Sequence, residues 1–250
     1  MQTNSIALAL VILFSFAPLI VAQDGTPDQQ PRIITASPLA VKANTPSKII
    51  LRGKRLDEVT EIRSDTASVK ADIVSKGKAP VPQNYEAQRV GDTQLELKIT
   101  FDAGTIQQFR LTAVAATGVS PSYLVKVLGQ DELIEDKEPN DGFKSAQPIS
   151  IGKTIVGTIH EPRNVDVFEL KGQAGQKLTI EIIASQAGSL LDPFLTVYDA
   201  SGQVLKGSDD SKGRDALVEV VPRTAGSVFI CVQDANDAGG THFGYLLNVK

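Results

Sequence analysis

Leu95-Glu96-Leu97-Lys98-Ile99-Thr100-Phe101 and Leu178-Thr179-Ile180-Glu181-Ile182 decide the fold class. In both, apolar and polar residues alternate with period two, which puts one residue type on each face of an extended strand and half-buries it. The same alternation recurs along the chain, broken by small polar and glycine-bearing turns such as Asp199-Ala200-Ser201-Gly202 and Thr224-Ala225-Gly226. Helical periodicity is confined to one possible turn near Phe143-Lys144-Ser145-Ala146. The expected class is therefore all-β.

In the first half, strands are expected over 47–52, 60–63, 68–75, 94–101, 107–115 and 123–128. In the second they are expected over 153–159, 165–170, 176–184, 194–198, 216–221, 227–233 and 245–249. A sandwich of about seven strands takes about 100 residues, so each set fills one. Between them lies Asp131-Glu132-Leu133-Ile134-Glu135-Asp136-Lys137-Glu138-Pro139-Asn140-Asp141, with six carboxylates and one lysine. The expected organisation is a signal peptide at 1–22, a disordered linker at 23–30, a first sandwich at 31–128, an acidic linker at 129–135 and a second sandwich at 136–250.

The signal reading rests on residues 1–22, which carry no charged side chain and run apolar from Ile6 to Ala22 before the polar stretch at Gln23. The run is shorter than the roughly 20 residues a spanning helix needs, and Ser15 and Pro18 interrupt it. An uncleaved anchor remains the alternative. The expected location is therefore secreted, periplasmic or at the cell surface, with no membrane span after cleavage. The single cysteine, Cys231, sits in Val228-Phe229-Ile230-Cys231-Val232 and reads as a core thiol. A net charge of −4 argues against nucleic acid and anionic lipid as partners.

Catalytic patterns are missing where they would be expected. His160-Glu161 opens like a zinc-protease helix, but Pro162 opposes a helix and Asn164 stands where a second histidine is required. No Gly-x-Ser-x-Gly elbow occurs, and Gly239-Gly240 lacks the Lys-Ser/Thr of a phosphate loop. Both histidines, His160 and His242, read as exposed loop residues, and no catalytic residue is assigned. With no tryptophan and four tyrosines, aromatic platforms for sugars are scarce.

The acidic stretch carries another chemistry. In an extended segment residues two apart share a face, so Asp136, Glu138 and Asn140 point together, with Asp141 turning back beside them. Asp166 shares strand parity with Phe168 and Leu170, the core face, where an unpaired charge is costly; Asn164 has the same parity. Several carboxylates in an all-oxygen, irregular set favour Ca²⁺ over the stricter octahedral Mg²⁺. The competing reading is a solvated acidic linker ending in a Pro-Asn-Asp turn. Asp234-Ala235-Asn236-Asp237 reads as a surface turn.

In order and spacing, Glu138-Pro139-Asn140-Asp141, Asn164-Val165-Asp166-Val167-Phe168, Gly175-Gln176-Lys177-Leu178, Leu191-Asp192-Pro193-Phe194-Leu195, Gly202 and Phe243-Gly244-Tyr245-Leu246-Leu247 resemble the bacterial pre-peptidase C-terminal domain. That family is a jelly-roll-like sandwich found beside secreted peptidases and similar to the collagen-binding domains of clostridial collagenases. The resemblance implies calcium at Asp136, Glu138, Asn140 and Asp141, with Asn164 and Asp166 as later ligands. Asp136 stands where the family commonly has Glu, which shortens its reach. Residues 31–128 resemble the immunoglobulin-type modules that precede such domains. The function expected is a non-catalytic exported binding or accessory protein whose partner is an extracellular protein or matrix polymer. The alternatives are a chaperone or targeting subunit of a secreted peptidase or other hydrolase and, third, an enzyme with an unrecognised site.

Overall fold

A computed structural model describes residues 29–102 and 106–250. The expected signal peptide and most of the linker after it lie outside the described residues. The fold is all-β, as the alternation requires. In the first half run β1 (Arg32–Ser37), β2 (Ala40–Lys42), β3 (Ser47–Lys54), β4 (Glu61–Ser64), β5 (Val69–Lys78), β6 (Thr93–Phe101), β7 (Gln108–Ala115), β8 (Gly118–Val119) and β9 (Tyr123–Leu128). They form two sheets, ordered β1-β3-β6-β5 and β2-β9-β7-β4, with β8 pairing β7. Leu95, Leu97 and Ile99 of β6 face Phe109 and Leu111 of β7 in one buried core, so the period-two pattern is realised as a sandwich.

In the second half run β10 (Leu133–Glu135), β11 (Gln147–Pro148), β12 (Thr154–Thr158), β13 (Val165–Gly172), β14 (Leu178–Ile183), β15 (Pro193–Tyr198), β16 (Val204–Ser208), β17 (Leu217–Val220), β18 (Gly226–Asp234) and β19 (Gly244–Val249). Their sheets are ordered β10-β12-β19-β14-β17 and β11-β13-β18-β15-β16. Phe168, Ile180, Leu195, Ile230 and Leu247 meet in the core between them. Leu133–Glu135, within the stretch read as an acidic linker, pairs in parallel with Thr154–Val156. Leu133 supplies the reason, because its side chain is buried in the seam between the two sandwiches.

That seam is apolar. Leu39 and Ala40 pack on Val156 and Leu246, on the outer face of the sheet that holds β12 and β19. A second contact comes from residues 79–91 between β5 and β6, which include α1 (Ala87–Val90). Val90 enters the core of the second sandwich, and the Tyr85 ring meets Phe243 edge-on at 6.0 Å. The hydroxyls of Tyr85 and Tyr123 donate to the carbonyls of Leu190 (3.1 Å) and Ala187 (3.2 Å).

The turn expected near Phe143 is not helical. The Ser145 amide donates to the Gly142 carbonyl at 3.0 Å in an isolated turn. Phe143 instead stacks on Phe229 at 4.5 Å between centroids and meets Tyr198 edge-on, which holds the segment flat on the sheet.

Candidate metal centre

Asp136 follows β10 directly, and its amide donates to the Val156 carbonyl at 3.1 Å, so its position is set by the sheet. Four residues on, the Asn140 carbonyl accepts from the Val167 amide at 2.9 Å, which ties the segment to β13. Gln147 holds the backbone on either side of Asp136: its Oε1 accepts from the Lys137 amide (2.9 Å) and its Nε2 donates to the Glu135 carbonyl (2.9 Å). The segment 136–140 is thereby bent into a loop over one end of the second sandwich.

Inside that loop the polar atoms converge. Asn140 Nδ2 donates to Asp136 Oδ1 at 2.7 Å, and the Asn140 amide donates to Glu138 Oε2 at 3.1 Å. Asp166 reaches the same place from β13, on the core face, as its parity with Phe168 and Leu170 requires. Asn140 and Asp166 are both fully buried, at 0 % exposure. From the facing sheet, the Tyr245 hydroxyl donates to Asp166 Oδ2 at 2.6 Å. Tyr245 has room because its cross-strand neighbour is Gly157: a Cβ there would lie 2.3 Å from the Tyr245 ring.

Three buried oxygens in this cluster, Asp136 Oδ2, Asn140 Oδ1 and Asp166 Oδ1, have no donor, although the Asp136 and Asp166 carboxyls lie close enough to share a proton. Among the described residues, no lysine or arginine forms an ion pair with Asp136, Glu138 or Asp166. Burial followed by the Asp136 charge pushes the Asp166 carboxyl up to about 8. Burial and the Glu138 charge raise Asp136 as well. A bare cluster of this kind is costly, since buried acceptors without donors forfeit their hydration. An oxygen-rich, negatively charged set that lacks a counterion fits a hard divalent cation of the calcium type.

The six residues singled out in the sequence divide into two groups. Asp136, Glu138, Asn140 and Asp166 come together, while Asp141 and Asn164 lie beside them and bond each other. Asn164 Nδ2 donates to Asp141 Oδ1 at 3.0 Å, and Asn164 Oδ1 accepts from the His160 amide at 3.2 Å. The pair braces the 160–164 loop against the 136–141 loop.

Sequence reading missed Tyr245, Gly157 and His160. A glycine inside the pattern Thr154-Ile155-Val156-Gly157-Thr158 is the one signal that marked a close approach. His160 sits with Asp136 and Glu138, one ligand-capable atom from each lying within 4.8 Å of the others.

One other expectation needs correction. His242 is not exposed but buried against the first sandwich, since its loop closes over Leu190 and lies near Arg52. Burial, then the Arg52 charge, lowers its imidazole to about 4. The Ser189 hydroxyl beside it bonds the His242 carbonyl, at 3.2 Å, and not the ring. The turn at 234–237 is the surface turn expected, with 235–237 exposed, and the buried Asp234 carboxylate caps it by accepting from the amides of Asp192, Asn236 and Ala238 at 2.9–3.0 Å. Cys231 is the buried thiol expected, and burial pushes it up to about 12.

No protein-family model matches the chain. Over 123 residues it is 36% identical to a probable subtilase-type serine protease of Deinococcus radiodurans, covering 47% of this chain and 17% of the protease. The chain thus spans under a fifth of that relative. Among solved structures, the pre-peptidase C-terminal domain of a Bacillus anthracis collagenase aligns with TM-score 0.34 and 17% identity, covering 42% of this chain and 94% of that one. A Bacteroides ovatus protein of a mixed-linkage glucan utilization locus, solved with a heptasaccharide, aligns with TM-score 0.28 and 11% identity over 89% of this chain and 74% of its own. At such TM-scores these likenesses carry no argument about function. Among the described residues no helix is long and apolar enough to cross a membrane.

Proposed function

We propose that this chain is an exported, non-catalytic binding or accessory protein whose second sandwich is closed at one end by Ca²⁺. Asp136, Glu138, Asn140 and Asp166 would hold the ion, and Asp141 and Asn164 would keep the two loops in place. A bound cation would supply the positive charge that the cluster lacks; the chain's own residues set where the linker enters the sandwich. The observation that carries the calcium reading is the trio of unpartnered buried oxygens on Asp136, Asn140 and Asp166.

The recognition partner in this reading is an extracellular or periplasmic macromolecule. A second reading, a targeting or chaperone subunit of a secreted peptidase, is favoured by the 36% identity to part of a subtilase-type protease. Capture from the native secretome on the immobilised full-length protein tests both, run in calcium and in chelator. An insoluble polymer or non-enzymatic protein retained in calcium supports the first reading, and a peptidase supports the second. Turnover of a peptide, ester or glycoside by the protein itself, abolished by one substitution, would overturn both.

A further inference from the structure

We propose that the solvent-facing rim of this cluster also takes a borderline divalent cation of the zinc class, held by the His160 imidazole and one carboxylate oxygen each from Asp136 and Glu138. The inference rests on the reading of the cluster as a cation site and adds a second ligand chemistry to it. Calcium selects oxygen, whereas an imidazole nitrogen beside carboxylates suits Zn²⁺ and its neighbours in the first transition row.

The geometry supports three ligands with a fourth position open to water. Ligand-capable atoms of Asp136, Glu138 and His160 lie within 4.8 Å of one another. Zinc holds nitrogen and oxygen at about 2.0–2.2 Å, so tetrahedral ligands stand roughly 3.4 Å apart. Closing that difference takes movement of about an ångström; the exposed His160 side chain can make it, while Glu138, also exposed, holds Oε2 on the Asn140 amide and would offer its other oxygen. The backbones of His160 and Asp136 are already fixed. The Ile159 amide bonds the Phe243 carbonyl at 3.1 Å, the His160 amide bonds Asn164, and Asp136 is held by Val156.

The buried oxygens behind the calcium reading also point to a cation here and not to a merely acidic surface. Asn140 and Asp166 stand behind Asp136, fully buried, each with an unpartnered oxygen. Asn140 also bonds Asp136, so any ion on Asp136 acts on an already polarised pair.

Only two histidines occur in the chain, so the assignment is simple to test. Calorimetric titration of the metal-stripped, untagged full-length protein with Ca²⁺ and with Zn²⁺ is compared with His160→Gln and His242→Gln. The expected result is that His160→Gln weakens zinc by at least about tenfold while calcium changes less than about twofold. His242→Gln should leave both unchanged. Unchanged zinc affinity in His160→Gln, or calcium binding without zinc binding in the parent protein, overturns the proposal and leaves the calcium reading standing. Binding of neither ion overturns both.

Discussion

Tyr245 on β19 donates its hydroxyl to Oδ2 of Asp166 on β13 at 2.6 Å, joining the two facing sheets inside the second sandwich. One carboxylate oxygen is thereby held in a fixed direction while Oδ1 stays without a partner. The phenol and a cation would then divide the carboxylate between them. Gly157 makes this possible, because any side chain there would displace the Tyr245 ring.

Tyr245→Phe removes the donor and little volume. Leaving Oδ2 of a buried carboxylate unsatisfied costs about 1–3 kcal/mol. The loss should appear as a lower urea midpoint, and Gly157→Ala should be worse because it also moves the ring. A Tyr245→Phe midpoint equal to the parent in chelator would show that the hydroxyl does not position Asp166.

The sheets and the parity of Asp166 were legible because each depends on neighbours one or two residues away. Leu95–Phe101 and Leu178–Ile182 declare their faces by alternation alone, and Asp166 inherits the core face from Phe168 and Leu170. What stayed hidden depends on contacts distant in sequence. Val204–Ser208 forms a strand without alternating, because its register against Leu195–Tyr198 is set by its partner. His242 follows Gly239-Gly240-Thr241 and reads as loop, yet the apolar seam and Arg52 enclose it. His160 reaches Asp136 only because β12 and β10 run parallel in register, which puts the end of one strand beside the end of the other.

Without calcium, the contribution of Asp166 to stability should fall as pH rises from about 4 to about 8. The Asp166 carboxyl, held up to about 8 when folded, ionises near 3.9 in the unfolded chain. Below the unfolded value both states keep the proton and the contribution is complete; as pH rises, only the folded state keeps it, so stability is lost through the folded pKa. Calcium binds the ionised form and should flatten the slope. Urea midpoints across this window in chelator test it, and a slope that survives Asp166→Asn would assign the effect elsewhere.

His242 acts with the opposite sign at lower pH. Its folded imidazole is lowered to about 4, against about 6.5 unfolded. Its contribution is complete above about 6.5 and is lost as pH falls towards 4, because protonation would put a charge in a buried site and, secondarily, a second cation near Arg52. That guanidinium is already committed to the carbonyls of Val90, Pro80 and Gly91 at 2.8–2.9 Å. His242→Gln should reduce the acid-side loss relative to the parent, whereas Asp166→Asn should not.

The calcium response is best read on the whole chain, because a fragment starting at 131 would expose Val156, Leu246 and Phe243, which the first sandwich covers. If the cluster binds calcium, stability rises by about 2.7 kcal/mol when the free ion is at 100 times its dissociation constant. For a chain of this size that is a melting shift on the order of 5–10 °C. Asp166→Ala and Glu138→Ala should each remove most of that shift, since they delete ligand oxygens. Asp234→Ala should act differently: it strips a buried cap from three backbone amides, so the chelator baseline drops while the calcium shift remains. This contrast separates a ligand from a structural carboxylate within one domain. Equal melting of the parent in millimolar calcium and in chelator would mean that the buried oxygens of Asp136, Asn140 and Asp166 are satisfied by protons and water, not by an ion.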